Sequence, residues 1–128
     1  MKLLLDTQLL LWAAAHPRRL SPTAWKLIND TQHKLLCSAA SLWEITTKHS
    51  LGRDDFRVGP RVLHRGLLDN GYVEVPITSE HAVSGTALPE LHRDPFDPLL
   101  IAQATCEGIT LVTADAIVGQ YPGPMRLV

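Results

Sequence analysis

The sequence predicts an α/β domain built on a largely parallel sheet flanked by helices, and three observations carry that prediction. Short apolar stretches, KLLLD at 2–6, KLLCS at 34–38 and ITLVT at 109–113, alternate with longer segments of helical pattern. Helix starts are marked by a capping residue before proline, as at Ser21 and Pro22, and stops by glycines such as Gly52 and Gly108. Strands that alternate with helices pair in parallel, because parallel neighbours need a crossover that a helix usually supplies.

In chain order, KLLLD reads as a strand covered on both faces, since its apolar run does not alternate. A helix follows at about 8–15, then a second over SPTAWKLINDTQ with Ser21 as cap. After the KLLCS strand comes the helix AASLWEITTKHS, and LGRDDFRVGP is a loop by its glycines and charges. Residues 61–69 form another helix, YVEVPI a strand, and SEHAVSGTA a helix capped by Thr78 or Ser79. HRDPFDPLLIAQA is a helix start with Asp94 near the N-cap and Pro95 and Pro98 in the first turn, where the missing N–H costs nothing. ITLVT, a short turn or helix, and a last strand MRLV complete the chain.

At 128 residues and 45% hydrophobic, with no repeat and no linker tract, the chain fits one compact domain over residues 1–128. LLLDTQLLLWAAA is interrupted by Asp6 and Gln8 and is too short to span a bilayer, so it reads as a buried strand and helix rather than an export signal. Cys37 and Cys106 lack CxxC spacing and read as reduced core thiols of a cytosolic protein. The net charge of −1 excludes a polybasic, non-specific nucleic-acid binder but leaves room for a local basic groove. The six histidines are scattered and read as surface or satisfied residues.

Four acids stand out. Asp6 ends the first strand and Asp115 follows ITLVT, so parallel pairing brings both to the carboxyl edge of the sheet, where ligands bind in open α/β folds. Glu44 lies about two turns into its helix and can reach back to that edge. Asp97 opens the helix leading into ITLVT, a start expected at the opposite edge unless the loop at 88–94 returns the chain. Each acid also has a plain structural role open to it: Asp6 as a helix cap, Glu44 paired with Lys48 at i,i+4, Asp97 against a helix dipole, Asp115 capping a turn. Asp6 fits its plain role least well, because an unpaired charge in an apolar stretch is costly. Converging carboxylates repel, and a divalent ion removes the conflict; an oxygen-only set favours Mg²⁺ or Mn²⁺ over zinc.

The blocks LLLDTQLLLW, SLWEITTK, HRDPFDPLLIAQA and LVTADAIVGQYP, in this order, resemble the four motif blocks of the PIN domain family, specifically VapC-type toxins of bacterial toxin–antitoxin pairs. The resemblance spans nearly the whole chain. It implies a PIN-like α/β/α sandwich and a metal-dependent endoribonuclease, a hydrolase that cleaves RNA with a water activated by Mg²⁺ or Mn²⁺. It implies that Asp6, Glu44, Asp97 and Asp115 bind the metal, with Asp94 a nearby acid and Thr113 a hydroxyl beside them. For Asp94 helix capping is the favoured reading, and for Thr113 that of a β-branched strand residue stands equal to the hydroxyl beside the acids. Expected partners are RNA, a small VapB-like antitoxin and a second copy of the chain, the dimer resting also on apolar helical residues around Trp12 and Trp25.

Arg53, Arg57, Arg61 and Arg65 recur every fourth residue, which suggests a basic RNA-contacting ridge, although Gly59 and Pro60 break any single helix through them and a solvated face explains them as well. Trp12, Trp25 and Trp43 read as core or interface. A receiver-type Mg²⁺-binding regulatory domain is the rival from another class, but it wants an acidic pair after the first strand where KLLLDT has one acid, and an aspartate ending a central strand where KLLCSA has none. A haloacid dehalogenase-type phosphatase wants Asp-x-Asp where residues 6–8 are Asp-Thr-Gln. A non-cleaving PIN-like RNA scaffold keeps the fold but has no need of all four acids.

Overall fold

A computed structural model describes residues 1–85 and 96–128, apart from the side chain of Asp55. Asp94 and Pro95, assigned to the start of a helix from the sequence, lie outside the described residues. Five strands, β1 (Lys2–Leu5), β2 (Lys34–Ser38), β3 (Val73–Val75), β4 (Thr110–Thr113) and β5 (Met125–Leu127), form one sheet in the order β3-β2-β1-β4-β5. Every neighbouring pair is parallel. The helices are α1 (Thr7–Ala15), α2 (Pro22–Asn29), α3 (Ala39–Ser50), α4 (Pro60–Asp69), α5 (Ser79–Ser84) and α6 (Phe96–Glu107).

The continuous apolar character of β1 follows from its position in the middle of the sheet. Leu3 and Leu5 point into one core layer with Cys37, Val112, Ile45 and the α4 residues Leu63 and Leu67. Leu4 points into the other, with Leu36, Leu111 and the α6 residues Leu100, Ile101 and Ala104. Successive side chains of a strand face opposite sides, so helices on both faces require apolar residues at every position. YVEVPI yields only the three residues of β3, an edge strand with one neighbour and an exposed Val73 and Glu74.

Topology decides where a site can form. From β1 the chain moves outward to β2 and β3, then returns to β4 on the other side of β1 and on to β5. The strand order therefore reverses between β1 and β4, and a crevice opens at their carboxyl ends. α6 ends at Gly108, whose φ of +65° takes the chain into β4, so α6 runs antiparallel to β4 and begins at the carboxyl edge. The difficulty that spacing alone raises over Asp97 is thereby removed, because a helix that runs back before a parallel strand starts where the strands end.

Cys37 is buried, and burial pushes its thiol up to about 11, whereas Cys106 is exposed on α6 rather than in the core. Both are free. Trp43 and Trp25 are 64% and 53% exposed and so are not core, while Trp12 packs against the first core layer. His81 is buried; its Nδ1 accepts from the Thr78 backbone N–H, which leaves the Nε2 proton to donate to Glu107 Oε1 at 2.8 Å. No helix among the described residues is long and apolar enough to cross a membrane.

Candidate active site

At the β1/β4 switch point a cleft of about 370 Å³ is lined by Asp6, Thr7, Gln8, Trp12, Glu44, Lys48, Arg53, Phe56, Asp97, Ala114 and Asp115. The four acids singled out from the sequence all lie on it. Asp6 follows β1 directly and caps α1, its Oδ1 accepting from the Leu9 backbone N–H at 2.9 Å. Its Oδ2 accepts from Thr113 Oγ1, the last residue of β4, at 2.5 Å. Thr113 Oγ1 in turn accepts from the Asp115 backbone N–H at 3.0 Å, and Asp115 Oδ1 accepts from the N–H groups of Ile117 and Val118 at 2.8 and 3.4 Å. The plain roles and the placement on the cleft thus coexist in the same carboxylates.

Glu44 is buried on α3 and held from both sides. Thr7 Oγ1 lies 2.6 Å from Glu44 Oε1 and 3.0 Å from Ser41 Oγ. Thr7 has one proton, which goes to the carboxylate, and the Ser41 hydroxyl is left to donate to Thr7. On the other oxygen, Lys48 Nζ lies 2.5 Å from Glu44 Oε2. The Lys48 ammonium also stands 5.1 Å from the Phe56 ring centre and 5.9 Å from that of Phe96. Neither Thr7 nor the phenylalanines had drawn notice in the sequence; Thr7 was detectable as the residue just after an interrupting acid.

Asp6 bears the electrostatic cost of this gathering. Burial is the main cause that pushes its carboxyl up from 3.8 to about 6; the bonds from Thr113 and Leu9 oppose the rise, and the charges of Asp115 and Glu44 add to it. Among the described residues no cation is one of the groups that shift Asp6, while Lys48 pairs with Glu44. Oxygen-only donors whose charges repel suit a hard divalent cation. Among the described residues, no three His, Cys, Asp or Glu side chains converge tightly enough to form a ready ligand shell. Protein donors hold Asp6 and Glu44 in place, and each carboxylate oxygen keeps a second lone pair.

The arginine ridge does not form. Arg53 precedes a 3-10 turn (Asp54–Phe56) and lines the cleft 5.8 Å from the Phe56 ring, and Arg57 pairs with Asp54 at 3.0 Å beside an adjoining hollow. Arg61 and Arg65 are exposed on α4, a separate helix that Pro60 begins. Of the four, Arg53 is the one brought to the acids.

A sequence profile of the PIN domain matches residues 3–123. Among curated proteins none matches significantly. Solved structures with similar folds include VapBC2 from Rickettsia felis bound to a DNA fragment from its promoter, with 15% identity, a TM-score of 0.72, and 99% of this chain and 98% of that one covered. A toxin–antitoxin complex from Klebsiella pneumoniae aligns at 14% identity and a TM-score of 0.64, covering 96% and 94%. VapBC-1 from nontypeable Haemophilus influenzae aligns at 14% identity and a TM-score of 0.61, covering 99% and 98%. At these identities the likeness is one of fold.

Proposed function

The chain belongs to the PIN domain family, and we propose that it is a Mg²⁺-dependent endoribonuclease, with Mn²⁺ as an alternative ion, that acts as the toxin of a toxin–antitoxin pair. The observation that carries this reading is the gathering of Asp6, Glu44, Asp97 and Asp115 on one cleft at the switch point of the sheet. Those four side chains would hold the ion. The chemistry such an ion would supply is a lowered pKa for a bound water and positive charge opposite the phosphate oxygens.

The chain's own contribution is arrangement. Thr113 and the Leu9 N–H hold the Asp6 carboxylate, and Thr7 with Lys48 holds that of Glu44, so two of the acids are oriented before substrate arrives. Asp97 stands in the first turn of α6, beside the positive end of the helix dipole. Arg53, on the cleft wall, is placed to meet the phosphates that flank the cut bond.

For the partner, the supporting observation is an apolar groove of about 590 Å³ between α1–α2 and α4, lined in part by Leu20, Trp25, Ile28, Val62 and Leu67. Trp25 and Val62 are largely exposed on it, which suits a small antitoxin, and the similar folds include toxins in such complexes. A homodimer is proposed as well, on the family resemblance; Trp12 does not support it, because it packs inward, and Trp25 is given to the antitoxin groove.

The test is incubation of the purified protein with single-stranded RNA in Mg²⁺, in Mn²⁺ and in EDTA. Cleavage confined to the metal-containing reactions is expected, and undiminished cleavage in excess EDTA overturns the reading. Co-expression with the product of the neighbouring reading frame tests the antitoxin, and sedimentation at high micromolar concentration tests the dimer, which a clean monomer contradicts.

A further inference from the structure

We propose that Lys48 is a substrate-binding cation of the cleft: in the metal-free protein it neutralises Glu44, and in the RNA complex its ammonium contacts a phosphate beside the acids. The proposal rests on the ribonuclease reading above and gives substrate contact to a residue which that reading uses only to hold Glu44. Glu44 and Lys48 sit one helical turn apart on α3, a spacing that on an exposed helix makes a weak surface pair. Here the setting differs. The Glu44 side chain is 6% exposed and that of Lys48 19%, and both line the same cleft as Asp6, Asp97 and Asp115. Phe56 and Phe96 stand beside the ammonium at 5.1 and 5.9 Å, near enough for their ring faces to attract it and hold it over the acids.

Two consequences follow from charge. A cation 2.5 Å from Glu44 Oε2 competes with any divalent ion for that oxygen, so Lys48 opposes metal binding while RNA is absent. A polyanion entering an acid-lined cleft needs positive charge from the protein, and among the described cleft-lining residues Lys48 and Arg53 supply it. A lysine that served structure alone would also compete for that oxygen but would add nothing to RNA affinity, so RNA binding is the discriminating readout.

The experiment compares wild type with Lys48→Met, Lys48→Gln and Lys48→Arg. Binding of a single-stranded RNA is followed by fluorescence anisotropy in EDTA at several salt concentrations, Mn²⁺ binding by calorimetry without RNA, and folding by thermal melting. Gln keeps a donor for Glu44 but no charge, so it serves if Met disturbs folding. Met and Gln are expected to weaken RNA binding roughly five- to tenfold, as loss of about one charged phosphate contact should, and to reduce the salt slope by about 0.7. They should bind Mn²⁺ as tightly as wild type or more tightly, while Arg retains most RNA affinity. Unchanged RNA affinity and salt slope in a folded Gln variant overturn the proposal, as does Mn²⁺ binding that weakens when the charge is removed. A wild-type protein that neither binds nor cleaves RNA overturns the ribonuclease reading itself, whereas cleavage by wild type with Lys48 variants equal to it overturns the role of Lys48 alone.

Discussion

Thr113, at the end of β4, donates its hydroxyl proton to Asp6 Oδ2 at 2.5 Å across the β1/β4 boundary, and the two residues stand 107 positions apart in sequence. The same hydroxyl accepts from the Asp115 N–H, so one side chain joins both strand ends that frame the cleft. Thr113→Val keeps the β-branched shape and removes both bonds. A hydrogen bond to a buried charge contributes on the order of 1.5–3 kcal/mol. The variant is expected to lose about that much stability at pH 7, measured by urea unfolding, and a loss below 0.5 kcal/mol would show the bond to be idle.

The raised pKa of Asp6 sets a pH dependence with a definite sign. Its folded value of about 6 lies above the unfolded 3.8, so between those values the native state binds the extra proton. Its contribution to stability therefore increases as pH falls from 6 toward 4, and above pH 6 the folded protein bears the full cost of the buried charge. A shift of this size corresponds to roughly 3 kcal/mol. Asp6→Asn, which caps α1 about as well, should remove the dependence and stabilise the metal-free protein at pH 7. Parallel stability–pH curves for wild type and variant, measured in EDTA, would contradict this.

Gln103 lies fully buried on α6 between β2 and β3, with its amide oxygen bonded to the Ser38 hydroxyl and its Nε2 near the carbonyls of Val75 and Pro76. Gln103→Leu fills the volume but leaves Ser38 without this partner. A cost of about 1–3 kcal/mol is expected, with RNA cleavage retained because the acids are untouched. Loss of cleavage at unchanged stability would mean that Gln103 belongs to the chemistry.

Much of this arrangement was legible in the sequence because it rests on local rules. The all-apolar run of β1 signals a central strand, and Ser21 with Pro22 marks the start of α2, where the Ser21 hydroxyl accepts from the Ala24 N–H. Asp6 was conspicuous because a charge inside an apolar stretch needs a reason. Other features depend on direction and depth, which residue spacing does not encode. The edge to which Asp97 belongs follows from the course of α6 against β4; spacing alone left it open, and the family resemblance put it with the other acids. Glu44 and Lys48 were recognisable as an i,i+4 pair, but their burial in the cleft depends on helices packed from elsewhere. The even spacing of Arg53, Arg57, Arg61 and Arg65 pointed to a ridge that the 3-10 turn and the start of α4 at Pro60 divide.

Asp97 offers the sharpest separation between a structural acid and a metal-binding one, because its helix-start role is open to asparagine and its ion-binding role is not. Asp97→Asn should fold with a melting temperature at or above that of wild type in EDTA, since repulsion among the acids is relieved. Asp94→Asn serves as the companion: if Asp94 is the helix cap that the sequence suggests, most activity is retained, since Asn caps about as well as Asp. The decisive measurement is RNA cleavage by wild type and Asp97→Asn side by side in Mg²⁺, with thermal melting of both with and without the ion. The account predicts that wild type cleaves and gains stability from Mg²⁺ while the folded variant does neither. An Asp97→Asn protein that cleaves RNA and is still stabilised by Mg²⁺ would contradict it.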